Sequence, residues 1–313
     1  MPPQPSTLDS QPLVSILIPT YNYGRYICQA VDGVLAQTYR PLEIVVVDDG
    51  STDDTRERLK SYGDKIRYVH QQNQGPEFAR NAGIWEAKGE FIAFLDPDDA
   101  WAPHKLAAQV AVMTTQPDVW LVCADGTSFT DQFVAPAPSP QPAPVETMPL
   151  ESVYLRNKIS TSAVMVRTAE VRKLDGFRPN IRSEDWDLWL RIARQGKIVR
   201  IREPLFGRRE HGDNRSGNVP KELPWALWVI DDNCAHLPKT SRNWRLRRQS
   251  RAVIYYTFAY LHCVQSKPLP ALRLLAASFW SWPLPLPADA RKYPWERPRF
   301  LLRVLGGLFR KQP

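Results

Sequence analysis

The chain has 313 residues, 43% hydrophobic and 24% charged, which is ordinary for a globular protein. Its four cysteines are scattered without a CxxC pair, which argues against a zinc site or a disulfide framework and favours a reducing compartment. No apolar run is long enough to span a bilayer, and the polar residues 1–12, expected to be flexible, show no signal-peptide pattern. We therefore expect a cytoplasmic protein.

The positive charge of the chain is concentrated in its last third. Residues 1–220 contain 25 Lys and Arg against 28 Asp and Glu, whereas residues 221–313 contain 16 against 5. This asymmetry predicts an anionic partner for the C-terminal region, either nucleic acid or membrane lipid.

Through the first 125 residues, short apolar runs alternate with helical patterns, as in a parallel sheet with crossover helices. The predicted strands are Val14–Ile18, Ile44–Val47, Ile66–Val69, Phe91–Leu95 and Val119–Cys123. The first predicted helix carries Ile27, Ala30, Val31, Val34 and Leu35 on one face. Three further helices are predicted. One starts near Ser51 and ends at Lys60, and the other two span Glu77–Lys88 and Pro103–Met113.

Residues 135–149 are rich in proline and alanine and predict an extended, mobile connection. Beyond them we predict a strand at Ala163–Val166, a helix at Trp186–Ala193, and mostly helix from Trp225 onward, over Ile254–Val264, Leu269–Trp280 and Phe300–Phe309. We divide the chain into a domain over 13–219, with halves at 13–125 and 150–219, and a basic helical region over 220–313.

Polar residues follow three of the predicted strands: Pro19–Asn22, Asp48–Ser51 and Asp96–Asp99. Ligands of open parallel sheets bind at the carboxyl ends of the strands, and carboxylates that converge there repel one another unless a cation or donor lies among them. Asp96 and Asp98 have the spacing and oxygen ligands that suit Mg²⁺ or Mn²⁺, which could bridge the phosphates of a sugar nucleotide. A DxD triplet by itself more often marks a turn.

Four blocks of sequence together resemble the glycosyltransferases of family 2. They are VSILIPTYNYGRYICQAVDGVLAQTY, LEIVVVDDGSTDDT, NQGPEFARNAGIWEAKGEFIAFLDPDD and SEDWDLWLRIARQGKI, and they occur in family order across about residues 13–217. The resemblance implies a GT-A fold, which is an α/β, Rossmann-like and mostly parallel central sheet flanked by helices, here with a helical C-terminal appendage. It also implies an inverting transfer of a sugar from a nucleotide-diphosphate donor, by default a uridine diphosphate sugar, to a glycan or lipid-linked acceptor.

By position, the resemblance assigns roles to individual residues. Those expected to line the nucleotide pocket or contact the base, ribose or phosphate are Pro19, Thr20, Tyr21, Asn22, Asp48, Asp49 and Arg80. Asp96 and Asp98 are the expected metal ligands, with Asp99 in support. His211, in the segment 208–216, is a further candidate near the metal, although a lone histidine is as often structural.

Asp185 is the expected general base, because a carboxylate can take the proton of an acceptor hydroxyl while the bond to the anomeric carbon forms. Glu184 and Trp186 are expected to support the acceptor side. Acidic residues also complement the dipole of a helix N-terminus, so Glu184 and Asp185 have a structural alternative. Trp186 and Trp189, three residues apart, favour core packing over stacking on a sugar.

Alternatives remain for the tail and for the whole chain. Basic residues interleaved with tryptophan suit the inner face of an anionic membrane, above all in the last 15 residues, but also a helical appendage with solvated arginines. The fold could belong to a catalytically silent sugar-nucleotide-binding protein, against which Asp96, Asp98 and Asp185 argue. Nucleic acid ranks last, since the strand-end carboxylates repel phosphate without a metal and no nucleic-acid motif is present.

Overall fold

A computed structural model describes residues 11–138, 141–212, 219–291 and 295–309. The expectation of a flexible start falls mostly on residues outside these ranges, as do residues 213–216 of the segment that contains His211.

The described residues form a nine-stranded sheet in the order β3-β2-β1-β4-β8-β6-β9-β5, with β7 paired to β9. The strands are β1 (Val14–Thr20), β2 (Leu42–Asp48), β3 (Arg67–His70), β4 (Phe91–Phe94), β5 (Ala100–Trp101), β6 (Val119–Phe129), β7 (Val145–Thr147), β8 (Met165–Arg167) and β9 (Lys197–Arg209). Strands β1 to β4 are parallel to one another, β6 and β9 are parallel, and β5, β7 and β8 pair antiparallel with their neighbours. The predicted α/β fold with a mostly parallel sheet is confirmed.

The helices are α1 (Gly24–Leu35), α2 (Thr55–Leu59), α3 (Pro76–Glu86), α4 (Lys105–Thr115), α5 (Leu150–Leu155), α6 (Thr168–Lys173), α7 (Glu184–Ala193), α8 (Val219–Ala235), α9 (Ser241–Val264), α10 (Pro268–Ser281) and α11 (Glu296–Phe309). Strand β1 is buried at every position, as expected for a strand covered on both faces. Helix α1 buries Ile27, Ala30, Val31 and Val34, which the apolar periodicity predicts.

The sequence pattern does not predict β5, α5, α6 or β9, and three further features differ from the prediction. Helix α2 begins at Thr55 rather than Ser51, because Asp53 accepts a hydrogen bond from the Thr55 backbone N–H while Ser51 belongs to the loop after β2. Strand β6 continues to Phe129. The proline-rich stretch contains β7, an edge strand paired with β9, where proline is tolerated on either side.

The chain divides into two compact units. The first comprises the described residues of Met1–Thr147, Ile159–Pro179 and Gly196–His211, and contains the whole sheet. The second comprises those of Met148–Lys158, Asn180–Gln195 and Gly212–Pro313, and contains α5, α7 and α8 to α11. In the part of the chain that the structure describes, no helix combines the length and apolarity required to cross a bilayer.

Candidate active site

The loops after β1 and β2 are tied together by Asn22. Its side-chain oxygen accepts hydrogen bonds from the backbone N–H groups of Thr52, at 2.7 Å, and Asp53, at 3.3 Å. Its own backbone N–H donates to the Ser51 hydroxyl. Asn22 has a φ of 58°, a left-handed conformation that asparagine tolerates better than most residues. Pro19 and Thr20 are the last two residues of β1, and the loop that follows them is thereby held in a fixed shape at the carboxyl end of the strand.

Asp48 and Asp49 are both buried, and each is bound by protein donors. Asp48 accepts hydrogen bonds from the Ser51 backbone N–H and the Tyr68 hydroxyl. The Asp49 carboxylate accepts three, from the Gln71 side chain and from the backbone N–H groups of Gln74 and Gly75. These contacts shape the loop that precedes α3.

Thr20 and Tyr21 offer different groups at the end of β1. The Thr20 hydroxyl is buried and has no hydrogen-bond partner among the described residues. A buried hydroxyl without a partner is costly, so such groups usually mark a place where a ligand or water binds. The Tyr21 ring is 44% exposed and can stack on a planar group.

Arg80 forms an ion pair with Asp96, which lies in the loop after β4. The buried Arg80 guanidinium, on α3, donates to the Asp96 carboxylate at 3.0 Å, and it lies 5.4 Å from the centre of the Phe177 ring. The Asp96 side chain is 31% exposed, so it combines a protein partner with access to solvent.

Asp98 pairs with His211 from beyond the end of β9. The His211 Nε2 lies 2.7 Å from the Asp98 carboxylate, and the two side chains are 10% and 12% exposed. The His211 ring also packs near the rings of Tyr23 and Tyr26. Burial, and then the negative charge of Asp96, raise the pKa of Asp98 above its ordinary value, and the hydrogen bond from His211 opposes that rise.

Asp99, the next residue after Asp98, is buried. It accepts hydrogen bonds from the Ser162 hydroxyl, at 2.6 Å, and from the Arg209 backbone N–H, at 3.0 Å. Burial raises the pKa of Asp99 strongly, and the charges of Asp96 and Asp98 raise it further. Three carboxylates therefore repel one another within four residues of chain.

Arg209, which the sequence pattern does not single out, holds the chain around Asp98. The buried guanidinium donates to the carbonyl oxygens of Asp98, Thr130 and Asp131 and to the Gln29 side chain. It also lies over the rings of Tyr26 and Phe129, at 4.7 and 4.4 Å from their centres. The sequence signal that could have pointed to Arg209 is the pair Arg208-Arg209. It lies at the end of β9, a strand that the apolar pattern does not predict.

A buried lysine lies behind the acidic cluster. Lys105 is fully buried, donates to the Gln109 side-chain oxygen at 2.7 Å, and lies 3.9 Å from the centre of the Trp101 ring. Trp101 in turn donates to the carbonyl oxygen of Ser162, the residue that binds Asp99. Burial lowers the pKa of Lys105 well below its ordinary value.

The carboxylates of Asp96 and Asp98 and the imidazole of His211 are groups of the kind that bind a divalent cation. Their mutual repulsion is the condition that a cation would relieve. Among the described residues, however, no three His, Cys, Asp or Glu side chains are grouped closely enough to hold an ion as they stand. Asp96 is bound to Arg80 and Asp98 to His211.

Asp185 lies in the second unit, in the first turn of α7. One carboxylate oxygen accepts a hydrogen bond from the Trp186 backbone N–H at 2.6 Å, and the other accepts from the Asn157 side chain at 3.2 Å. The residue before α7, Ser183, has a φ of 58° and is in the left-handed conformation. Asp185 is half-buried, whereas Glu184 beside it is buried.

The tryptophans of α7 are packed into the second unit. Trp189 is fully buried and Trp186 is 4% exposed, with its ring N–H donating to the Val153 carbonyl oxygen. Core packing, the favoured interpretation of this pair, is confirmed. Asp187, a residue without a predicted role, anchors the helix through Arg191, at 2.8 Å, and Asn233, at 2.9 Å.

Comparison with known proteins identifies the family. A family model described as glycosyl transferase family 2 matches residues 15–168. An uncharacterized glycosyltransferase of Rickettsia typhi is 33% identical over 228 residues, which cover 69% of this chain and 70% of that protein. The chain belongs to glycosyl transferase family 2. The predicted family and the predicted class of enzyme, a glycosyltransferase, are confirmed.

Solved structures resemble the fold of this family 2 glycosyltransferase at low sequence identity. The crystal structure of S. aureus TarS 1-349 in complex with UDP-GlcNAc is 18% identical with a TM-score of 0.65, over 88% of this chain and 82% of that one. The mannosyltransferase PcManGT from Pyrobaculum calidifontis, in complex with GDP-Man and Mn²⁺, is 18% identical with a TM-score of 0.60, over 97% of this chain and 89% of that one. The predicted GT-A fold is confirmed by this likeness.

Proposed function

We propose that this glycosyltransferase transfers a sugar from a nucleotide-diphosphate donor to a hydroxyl of a glycan or lipid-linked acceptor, with inversion at the anomeric carbon. The observation that carries the proposal is the acidic cluster at the sheet edge, where Asp96, Asp98 and Asp99 lie with Arg80 and His211 as the balancing basic groups. Packing alone gives no reason to concentrate carboxylates that repel one another.

The donor would bind across the ends of β1, β2 and β4. The buried Thr20 hydroxyl offers a hydrogen bond to a polar group of the nucleotide, and Tyr21 offers a ring for the base. Arg80 is placed on α3 to bind phosphate, although a phosphate would then compete for it with Asp96. The two structural relatives named above carry different nucleotides, UDP and GDP, so the uridine donor remains a default.

Asp96, Asp98 and His211 would hold a Mg²⁺ or Mn²⁺ ion, which when bound would offset charge on the departing diphosphate. Asp185 would take the proton of the acceptor hydroxyl, while Asn157 and the N–H of Trp186 hold its carboxylate in place. Glu184 and Trp186 would support this side from within the second unit. Direct displacement inverts the anomeric centre, so no covalent intermediate is required.

The proposal is tested with a panel of nucleotide sugars, each with and without Mn²⁺. We expect one donor to raise the melting temperature only when the metal is present, and the same donor to release its nucleoside diphosphate when incubated with a suitable acceptor. The product's anomeric configuration, determined by NMR, should be opposite to the donor's. A donor that binds but is never consumed would instead favour a catalytically silent binding protein of the same fold.

The second unit offers a surface that suits an anionic membrane. Trp244, Trp280 and Trp295 are exposed by 56%, 86% and 64%. Arg248 lies over the Trp244 ring and donates to the carbonyl oxygens of Trp280 and Ser281, so it brings the first two tryptophans together. Exposed tryptophans beside arginines favour the membrane–water interface. In α11, by contrast, Phe300 and Val304 are buried, so part of its apolar face packs inside the unit.

A further inference from the structure

A cavity of about 200 Å³ lies within the second unit, between the start of α7 and the helices α8 and α9. Its inner wall is apolar and includes Trp186, Val253 and Ile254, which are all buried. Its polar lining includes Ser183 and two exposed residues, Arg156 and Asn157. The cavity is partly open, so a ligand can reach it without unfolding the unit.

The rim of this cavity touches the proposed base. The Asn157 side chain, which lines the cavity, donates to the Asp185 carboxylate at 3.2 Å. Ser183 and Trp186 line it from positions two residues before and one residue after Asp185. If a molecule binds in the cavity, the part of it that extends past the rim would therefore lie close to the Asp185 carboxylate.

The size and lining of the cavity indicate the class of ligand. An apolar protein cavity of roughly 150 Å³ accommodates a benzene ring, so this one has room for a ring or a short stretch of alkyl chain. Transfer of such a group from water into the cavity gains free energy in proportion to the apolar area that the group buries. A free sugar is too polar to make use of Val253, Ile254 and the Trp186 ring in this way.

We infer that the cavity binds the apolar aglycone of the acceptor and thereby holds the adjoining sugar hydroxyl at Asp185. This inference rests on the proposed function, because it assumes that Asp185 is the base. It narrows the acceptor to a glycoside whose leading sugar is attached to a hydrocarbon or aromatic group, rather than a free sugar.

Alkyl glycosides of increasing chain length, from methyl to octyl, test the inference. For the unaltered protein we expect kcat/KM to rise about fourfold per buried methylene, equivalent to about 0.8 kcal/mol, until the cavity is full. Thr257 lines the cavity on α9, and Thr257→Phe should reduce the octyl-to-methyl ratio at least tenfold by filling it. Val264→Phe, which adds the same ring at an exposed position of α9, should preserve the ratio.

Direct binding of octyl glycoside, measured by calorimetry without donor, separates this inference from the proposed function. Binding that Thr257→Phe abolishes and Val264→Phe retains supports the cavity even if no donor is turned over. Ala226→Leu, a smaller filling change at another wall residue, guards against a variant that fails to fold. Equal affinity in the filled and unfilled proteins, or rates independent of chain length, would overturn the inference while leaving sugar transfer intact.

Discussion

The imidazole of His211 lies 2.7 Å from the carboxylate of Asp98, although 113 residues separate the two in the chain. Strand β9 brings the two residues together, because it pairs with β5, which starts two residues after Asp98, and it ends just before His211. A histidine that the sequence leaves as an even choice between structure and function is thereby placed in the acidic cluster.

Asp98→Asn should weaken donor binding at least tenfold in the presence of Mn²⁺ and change it little in the presence of EDTA. The reason is that an amide is a poorer ligand for a hard cation than a carboxylate. Titration calorimetry with the donor identified by the panel provides the measurement. Asp54→Asn is the control, since Asp54 is half exposed and forms a surface ion pair with Arg58. Unchanged affinity with Mn²⁺ would remove Asp98 from the metal site.

Asp185→Asn should lower kcat by roughly 10²- to 10⁴-fold, the usual contribution of a general base, with donor affinity within about twofold of normal. Asparagine keeps one acceptor oxygen for the Trp186 backbone N–H and loses only the exposed hydrogen bond from Asn157, so α7 should remain folded. Steady-state kinetics and circular dichroism check the two halves of this prediction. Glu184→Gln, one residue away, should have a much smaller effect on kcat, and equal losses would show that the assignment is not specific to Asp185.

Arg209→Lys should lower the free energy of unfolding by about 2 kcal/mol, because lysine cannot supply the planar fork and leaves buried carbonyl oxygens without donors. It should also weaken Mn²⁺-dependent donor binding, since the Asp98 backbone loses its tether. Urea denaturation and calorimetry measure the two effects. Arg208→Lys, at the exposed neighbouring position, should leave both unchanged. Normal stability in Arg209→Lys would contradict the positioning role.

Lys105 should give the stability of the protein a characteristic dependence on pH. Burial lowers its pKa in the folded state, so between that lowered pKa and about pH 10 the unfolded chain binds more protons at this residue than the folded one. The free energy of unfolding of the unaltered protein should therefore rise with pH relative to that of Lys105→Met, by at most about 1.4 kcal/mol per pH unit.

The control for this comparison is Lys60→Met, at a side chain that is 64% exposed, which should show no such relative slope. Denaturant titrations of the three proteins at several pH values provide the measurement. Parallel curves for the unaltered protein and Lys105→Met would mean that Lys105 remains charged in the fold.

Vesicles test the proposed membrane surface. The unaltered protein should sediment with phosphatidylglycerol-containing vesicles at low salt, and high salt should release most of it, because exposed charges are screened. Replacing Trp244 and Trp280 by serine should reduce binding at least fivefold, since these rings are exposed and would enter the interface. Trp85→Ser removes an exposed tryptophan of the first unit and should have no effect. Equal binding to neutral vesicles would argue against an electrostatic attachment.

The elements that could be predicted from the sequence share a local signal. Strands β1, β2 and β4 are apolar runs, and their polar ends coincide with recognisable blocks, so both the strands and the acidic residues at their tips were predictable. Strand β9 has no such signal, because charged residues interrupt it. Arg200 pairs there with Asp125 of β6, a partner that only the folded chain brings near. The location of Arg209 and the partner of His211 depend on that strand.

The second unit is built from three separate stretches of the chain, which contain α5, α7 and the helices α8 to α11. The helix that carries Asp185 therefore belongs to the same body as the C-terminal helices, with Asp187 bound to Asn233 and Tyr154 bound to the Asn233 carbonyl oxygen. A chain shortened at about residue 212 would keep α7 but strip away the neighbours that support it. Replacing the C-terminal helices α8 to α11 by those of a relative should therefore disturb the helix that carries Asp185, unless the replacement restores the contacts with α7.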